Sequence, residues 1–441
     1  MSRLRRWWLD INSSLWFVPT LMVLGAVLAA YGLVHLDDSM GHDWTKEHPL
    51  LFGAGADGAR GMLSAIASSM ITVAGLIFSL TLSTLAQVSS QYTSRLLRNF
   101  MRDRSNQVVM GFFVSIFVYC LLVLRTIRGG DEGAFVPSLA VAFGLLLALV
   151  SIGMLIFFIH HIASSIQAAN VIAGAAQETE KALDKLFPKQ LGEEADAAEQ
   201  ANLAAGPALQ WVPIVARQVG YVQDIDDEEL LAFARETNVL VRMEQALGNF
   251  VAKGTALVAV AAPEGSPRYQ PHPEAADRLL ACYSIGNQRT LDRDAGFGLR
   301  QIVDIALKAL SAGINDTSTA VMCIDHLGAL MSLLAERDLG SPLRAEAGQV
   351  RVIAQRPDFT SYLATAFDQV RANAAADLAI YLRLLAALRA VAQHTTRPGY
   401  RQALRQQADL TLAAADKNLT VAYENQQVHQ RYQELSQTLA S

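Results

Sequence analysis

Chemistry-bearing side chains are sparse in this chain, and they gather in two places. The denser lies in residues 285–294, IGNQRTLDRD, followed by FGLRQIVDIALKALSAGINDTSTA. It brings Arg289, Asp292, Asp294, Arg300, Asp304, Lys308, Asn315 and Asp316 into a short span. Asp304 and Lys308 are spaced i,i+4 on one helix turn. Gly313 suits a helix C-cap, and Asp316 or Thr317 suits the N-cap of a restarted helix. Two readings follow. Asp304, Asn315 and Asp316 could hold a small anion or metal at this helix junction, or the cluster is a cap with solvated ion pairs, the ordinary use of such residues. The Walker lysine loop, GxSxG, HExxH and a helix-opening GxGxxG are all missing, so no enzyme, cofactor or resident metal is expected.

The second set carries hydroxyls. Residues 61–90, GMLSAIASSMITVAGLIFSLTLSTLAQVSS, are apolar and long enough to cross a bilayer. On a helix, Ser64, Ser68, Thr72, Gly75, Ser79 and Ser83 fall on one narrow stripe, extended by Gly61, Ala86 and Ser90. Ile66, Met70, Val73, Ile77, Leu80 and Val88 occupy the opposite face. Such a stripe either lines water, offering hydroxyls to passing ions without binding them tightly, or lets another helix approach closely. Histidines are a weaker signal. His160 and His161 end an apolar run and suit a pH sensor, a metal ligand or an interfacial anchor. His42, Asp43 and His48 are too loosely spaced to prefer a cation over solvent.

The elements that position these residues follow from hydropathy. Hydrophobic residues make up 52% of the 441-residue chain and charged ones 17%, an integral-membrane composition. Four spanning segments are predicted, at 15–34, 62–88, 108–124 and 135–159. Arg3, Arg5 and Arg6 precede the first, and Arg95, Arg98 and Arg102 lie between the second and third. By the positive-inside rule both stretches are cytoplasmic, as are both termini. Arg95, Arg98 and Arg102 would form the inner mouth of any pore, facing an acidic outer loop with Asp37, Asp38, Asp43, Glu47 and Asp57. The three cysteines, Cys120, Cys282 and Cys323, form no metal or disulfide pattern. A net charge of −5 gives no case for nucleic-acid binding.

The fourth span runs on without Gly or Pro and is expected to project as one continuous helix. The expected organisation is a four-helix transmembrane domain (1–165), a cytosolic helix extension and linker (166–206), a small β-rich module (207–265) and a helical cytosolic domain (274–441). Within the β-rich module, Val241, Gly248, Gly254 and Leu257 sit in a pattern that resembles the barrel-sandwich, lipoyl-like signature. Lys253 there is read as part of a strand joint. The last domain is expected to carry helices at 274–283, 295–311, 317–337, 362–394 and 400–437. The fold class is therefore an α-helical membrane protein with a mixed cytosolic part, a β-rich barrel-sandwich-like module plus a helical bundle.

Three stretches, GFGLRQIVDIALKALSAGINDTSTAV, QYTSRLLRNFMRDRSNQVVMGFF and FFIHHIASSIQAANVI, resemble a bacterial family of membrane proteins that carries only a domain-of-unknown-function label. The family's turn reads closer to SPGIND or SPAIND followed by PTTA; SAGINDTSTA here lacks the prolines. The resemblance implies a four-helix membrane part with a cytosolic C-terminal part, and it assigns no activity. The functional expectation is a homo-oligomeric ion channel or channel-like pore of a bacterial inner membrane, lined by the second span, with lipid and ions as partners. The alternative is a non-conducting membrane scaffold or regulatory protein whose cytosolic part binds a partner or ligand.

Overall fold

The computed structural model describes residues 16–40, 55–91, 103–129, 135–186, 193–194, 209–263, 269–291, 293–340, 342–346 and 349–440. They divide into two compact units, Met1–Asn170 and Val171–Ser441. The first contains α1 (Phe17–Met40), α2 (Ala56–Gln91), α3 (Arg104–Thr126) and α4 (Ser138–Ser165). Helix α3 packs against all three others and is the core of the unit, burying Val109, Phe113, Ile116, Tyr119, Cys120 and Val123. Gly111 is what lets α1 cross it closely, because a Cβ there would lie 2.8 Å from Pro19 Cα. The buried Tyr119 hydroxyl donates to the Ala140 carbonyl at 2.7 Å, so the core closes without an orphaned phenol.

Helix α4 starts after Pro137, whose side chain cannot cap it. Asp37 of α1 does so from outside, accepting from the Leu139 and Ala140 amides at 3.1 Å each. A carboxylate there meets the positive end of the helix dipole. At its far end α4 stops, contrary to the continuous helix expected. The Ile166 and Gln167 amides turn back onto the Ser164 carbonyl, Asn170 Nδ2 donates to the same carbonyl at 2.7 Å, and a separate helix α5 (Ala168–Leu186) follows. Polar side chains made this break where no Gly or Pro announced it.

In the second unit, α5 buries Val171, Ile172, Ala175, Ala176, Thr179, Ala182 and Leu183. Its contact with α8 (Ala295–Ala309) is tight enough that a Cβ on Gly298 would clash with the Thr179 side chain. The described residues then form nine short strands: β1 (Glu193–Glu194), β2 (Val212–Val215), β3 (Gly220–Ile225), β4 (Leu240–Met243), β5 (Phe250–Val251), β6 (Ala256–Ala261), β7 (Tyr283–Gly286), β8 (Leu343–Glu346) and β9 (Gln349–Ile353). They form a six-stranded sheet, β1-β8-β9-β4-β6-β2, and a three-stranded sheet, β5-β3-β7. Among the described strands only β4 and β9 pair in parallel. Ile214, Val222, Val241 and Leu257 fill the core with Phe233 of α6 (Asp227–Thr237) and Leu279 of α7 (Pro273–Ala281).

The sheets thus draw on β7, β8 and β9, from beyond residue 265. Lys253 and Gly254 occupy the exposed turn that joins β5 to β6. Gly254 takes φ +91°, which a side chain would strain. Because β5 and β6 lie in different sheets, this turn is not a hairpin tip.

The remaining helices are α9 (Thr317–Glu336), α10 (Phe359–Ala372), α11 (Leu378–Gln393), α12 (Pro398–Asn418) and α13 (Ala422–Ala440). Both long helices expected from the sequence are broken in two. Asp377 caps α11, accepting from the Ala379 amide and the Thr317 hydroxyl, with Ala375 at φ +47° in the break. Buried Leu419 anchors the second break. The breaks allow α12 to fold against α10 and α11, and α13 against α11 and α12. Among the described residues five helices are long and apolar enough to cross a membrane, namely α1 to α4 and α9; the fifth is 61% buried.

Candidate functional site: the outward face of the second membrane helix

Helix α2 divides cleanly. Leu63, Ile66, Ala67, Met70, Ala74 and Ile77 are buried in the core of its own unit, and Thr84 and Val88 are buried too. Ser64, Ser68, Thr72, Gly75, Ser79 and Ser83 are all exposed. Ile71 and Phe78 border this stripe on one side and Leu76 and Leu80 on the other, all exposed. Of the apolar face read from the sequence only Leu80 lies outside the packed arc. Nothing stands within 4 Å of where a Cβ on Gly61 or Gly75 would be. The stripe is therefore not what packs α2 onto α3 or α4.

Hydroxyls along α2 bond to their own helix, those of Thr72 and Ser69 on the exposed side and that of Thr81 on the packed arc. Thr72 Oγ1 donates to the Ser68 carbonyl and Ser69 Oγ to the Ala65 carbonyl, each at 2.8 Å. Thr81 Oγ1 does the same to the Ile77 carbonyl. Hydroxyls so placed are tolerated in an apolar solvent while their lone pairs stay available. At 36 residues the helix is ~54 Å long, well beyond the ~30 Å of hydrocarbon, so part of it extends past the apolar layer. Arg95, Arg98 and Arg102 lie outside the described residues.

The helix junction resolves into caps. Asp316 caps α9, accepting from the Thr319 hydroxyl at 2.5 Å and the Thr319 amide at 3.0 Å. Those two donors hold its carboxyl below the usual range. Asn315 precedes it at φ +50° and is exposed. Asp304 is engaged elsewhere, accepting from Arg300 Nε at 2.9 Å, one turn earlier than Lys308 had suggested. Among the described residues no group of three His, Cys, Asp or Glu could hold a metal ion.

The arginines of residues 285–294 are structural clasps. Arg289 places two guanidinium nitrogens on Asp294 Oδ2, at 2.9 and 2.7 Å, and Asp294 caps α8 through the Phe297 amide. Burial pushes the Asp294 carboxyl up, against the opposing pull of Arg289. Arg293 binds Asp224, the Ile225 carbonyl and Asp227, joining β3 to α6. Asp292 lies outside the described residues, as do His42, Asp43 and His48. His161 has a defined partner in Asp103, at 2.5 Å, and stacks on Phe157. Asp103 also caps α3 through the Ser105 amide. Its place just before an apolar run was a readable N-cap signal; the pairing with His161, distant in sequence, was not.

Comparison with known proteins fits this picture of apolar helices joined to a sheet-containing part. Residues 12–390 match the family described as "Predicted membrane protein (DUF2254)". The chain belongs to that family. The uncharacterized protein MT1328 of Mycobacterium tuberculosis (strain CDC 1551 / Oshkosh) is 35% identical over 415 residues, 92% of this chain and 77% of its own length. Two others, Mb1321c of Mycobacterium bovis and Rv1290c of M. tuberculosis strain H37Rv, are each 36% identical over 418 residues with the same coverage. No solved structure matches.

Proposed function

We propose that this DUF2254 protein is a homo-oligomeric, channel-like pore of a bacterial inner membrane, with the stripe of α2 facing the axis and no enzymatic activity. In this reading α1 to α4 are the spans, both termini are cytoplasmic, and the Val171–Ser441 unit supports assembly or gating. One observation carries it. Ser64, Ser68, Thr72, Gly75, Ser79 and Ser83 all point away from the chain's own helices, opposite the packed face. Lipid offers a hydroxyl nothing that Leu would not get more cheaply, so a face built this way is matched to another copy or to water. A single copy cannot surround an aqueous path with one such face, hence the oligomer.

A second reading has its own observation. The hydroxyl of Thr72 in the stripe and that of Ser69 beside it return to carbonyls of α2 and need no water. The stripe would then be a dry, small-residue seam between copies of a non-conducting scaffold whose cytosolic part binds a partner or ligand.

Cysteine cross-linking followed by flux distinguishes these. The natural cysteines are all buried, so an introduced thiol reports alone. Ser79→Cys should cross-link between copies in membranes, and Ile77→Cys should not. Equal cross-linking at both positions defeats both oligomer readings. Given the oligomer, ion flux from liposomes that is lost in Ser68→Leu and Ser79→Leu supports the pore. Stable cross-linked oligomers without flux leave the scaffold.

A further inference from the structure

Between α3 and α4 runs a shallow, open groove of about 700 Å³ whose lining is apolar except at one end. Val108, Leu149, Val150 and Phe157 line it and are each more than a third exposed, so it opens on the outside of the membrane unit. Its depth comes from Gly153, where nothing lies within 4 Å of the missing Cβ. From Leu149 to Phe157 the channel follows two turns of α4, ~12 Å of helix. The polar end is formed by Arg104 and Ser105.

Arg104 is exposed, and no carboxylate among the described residues pairs with it. Its neighbour Asp103 is already taken, by the Ser105 amide and by His161 Nε2. A cation stands at the mouth of a greasy slot at the end of a membrane helix. The matching ligand has an anionic head and an apolar tail. Guanidinium groups meet phosphate through paired, charge-assisted hydrogen bonds.

We propose that this groove is a binding site for one anionic phospholipid, its phosphate on Arg104 and an acyl chain laid between α3 and α4 over Gly153. The site is independent of whether α2 lines a pore. It selects phosphatidylglycerol over phosphatidylcholine, because the choline head brings its own cation to Arg104.

The full-length protein in detergent, titrated with phosphatidylglycerol or phosphatidylcholine of identical chains and read by native mass spectrometry, tests it. The expected result is about a tenfold preference for phosphatidylglycerol, the ratio that one good charge-assisted contact provides. Arg104→Gln should abolish the preference while leaving some binding of both lipids. Gly153→Leu should fill the slot and weaken both. Gly25→Leu, a lipid-accessible glycine on α1 with equal space around it, should change neither and controls for folding through its melting temperature. Equal retention of both lipids, a preference that survives Arg104→Gln, or equal loss in Gly25→Leu and Gly153→Leu each overturns the site. So does protection by inorganic phosphate alone, or cross-linking between copies through Val108→Cys, which would put another protein helix in the groove.

Discussion

At the scale of single residues, seven aspartates among the described residues act as helix caps. Asp37, Asp103, Asp226, Asp294, Asp316, Asp358 and Asp377 each accept from an amide at the start of a helix. The cap at Asp316 was readable, because an Asx residue three positions before a Thr or Glu at an apolar run has few other uses. What the sequence could not reveal is which acid belongs to which base. Asp304 faces both Arg300 and Lys308 at the same spacing, and Asp103 finds His161 across the membrane unit. Asp316→Ala should lower stability by about 1 kcal/mol, the usual cost of a lost cap. Because the folded carboxyl sits below its ordinary value, its contribution is fully present above about pH 4 and is lost as pH falls through the lowered value. Melting curves should therefore show a gap between wild type and variant at pH 7 that narrows in acid. A gap that widens in acid would contradict the cap.

At the scale of elements, hydropathy located the four apolar helices of the first unit, since length and composition alone decide that question. It was blind to three other features. The strands β8 and β9 are short, with Arg344, Glu346, Gln349 and Arg351 between their buried Ala345, Val350 and Val352. Such a pattern stands out only once a sheet edge is there to receive it. The breaks at Ala375 and Leu419 occur in Ala-rich sequence that would continue as helix; tertiary packing overrides propensity there. The seam between α5 and α8 depends on Gly298 being bare opposite Thr179. Gly298→Ala should cost about 1–3 kcal/mol through overpacking. Hydrogen exchange should quicken specifically in α5, whose buried face is what would be pried loose. Gly313→Ala, with open space around it, should leave both measurements unchanged.

At the scale of the whole molecule, the question is which apolar helices meet lipid. Helix α9 has the length and hydropathy of a span, yet Cys323, Ile324, Leu327, Leu330, Met331 and Leu334 are buried among its neighbours. It packs against α8, α10 and α11, and Gly328 sits against Ala387 of α11. Its Asp325 pairs with Arg383, leaving a charged pair on its outer side that hydrocarbon would penalise. By contrast the exposed faces of α2 and α4 carry Ile71, Leu76, Phe78, Leu146, Leu149, Ile152 and Ile156, a surface water would not tolerate. Burial, rather than hydropathy, therefore separates a core helix from a membrane helix. The consequence is direct: a fragment of residues 171–441, expressed alone, should be monodisperse without detergent and unfold cooperatively on heating. A membrane-bound fragment, or one that needs detergent to stay in solution, would make α9 a fifth span. Both tails of the chain could not then lie on the same side of the membrane.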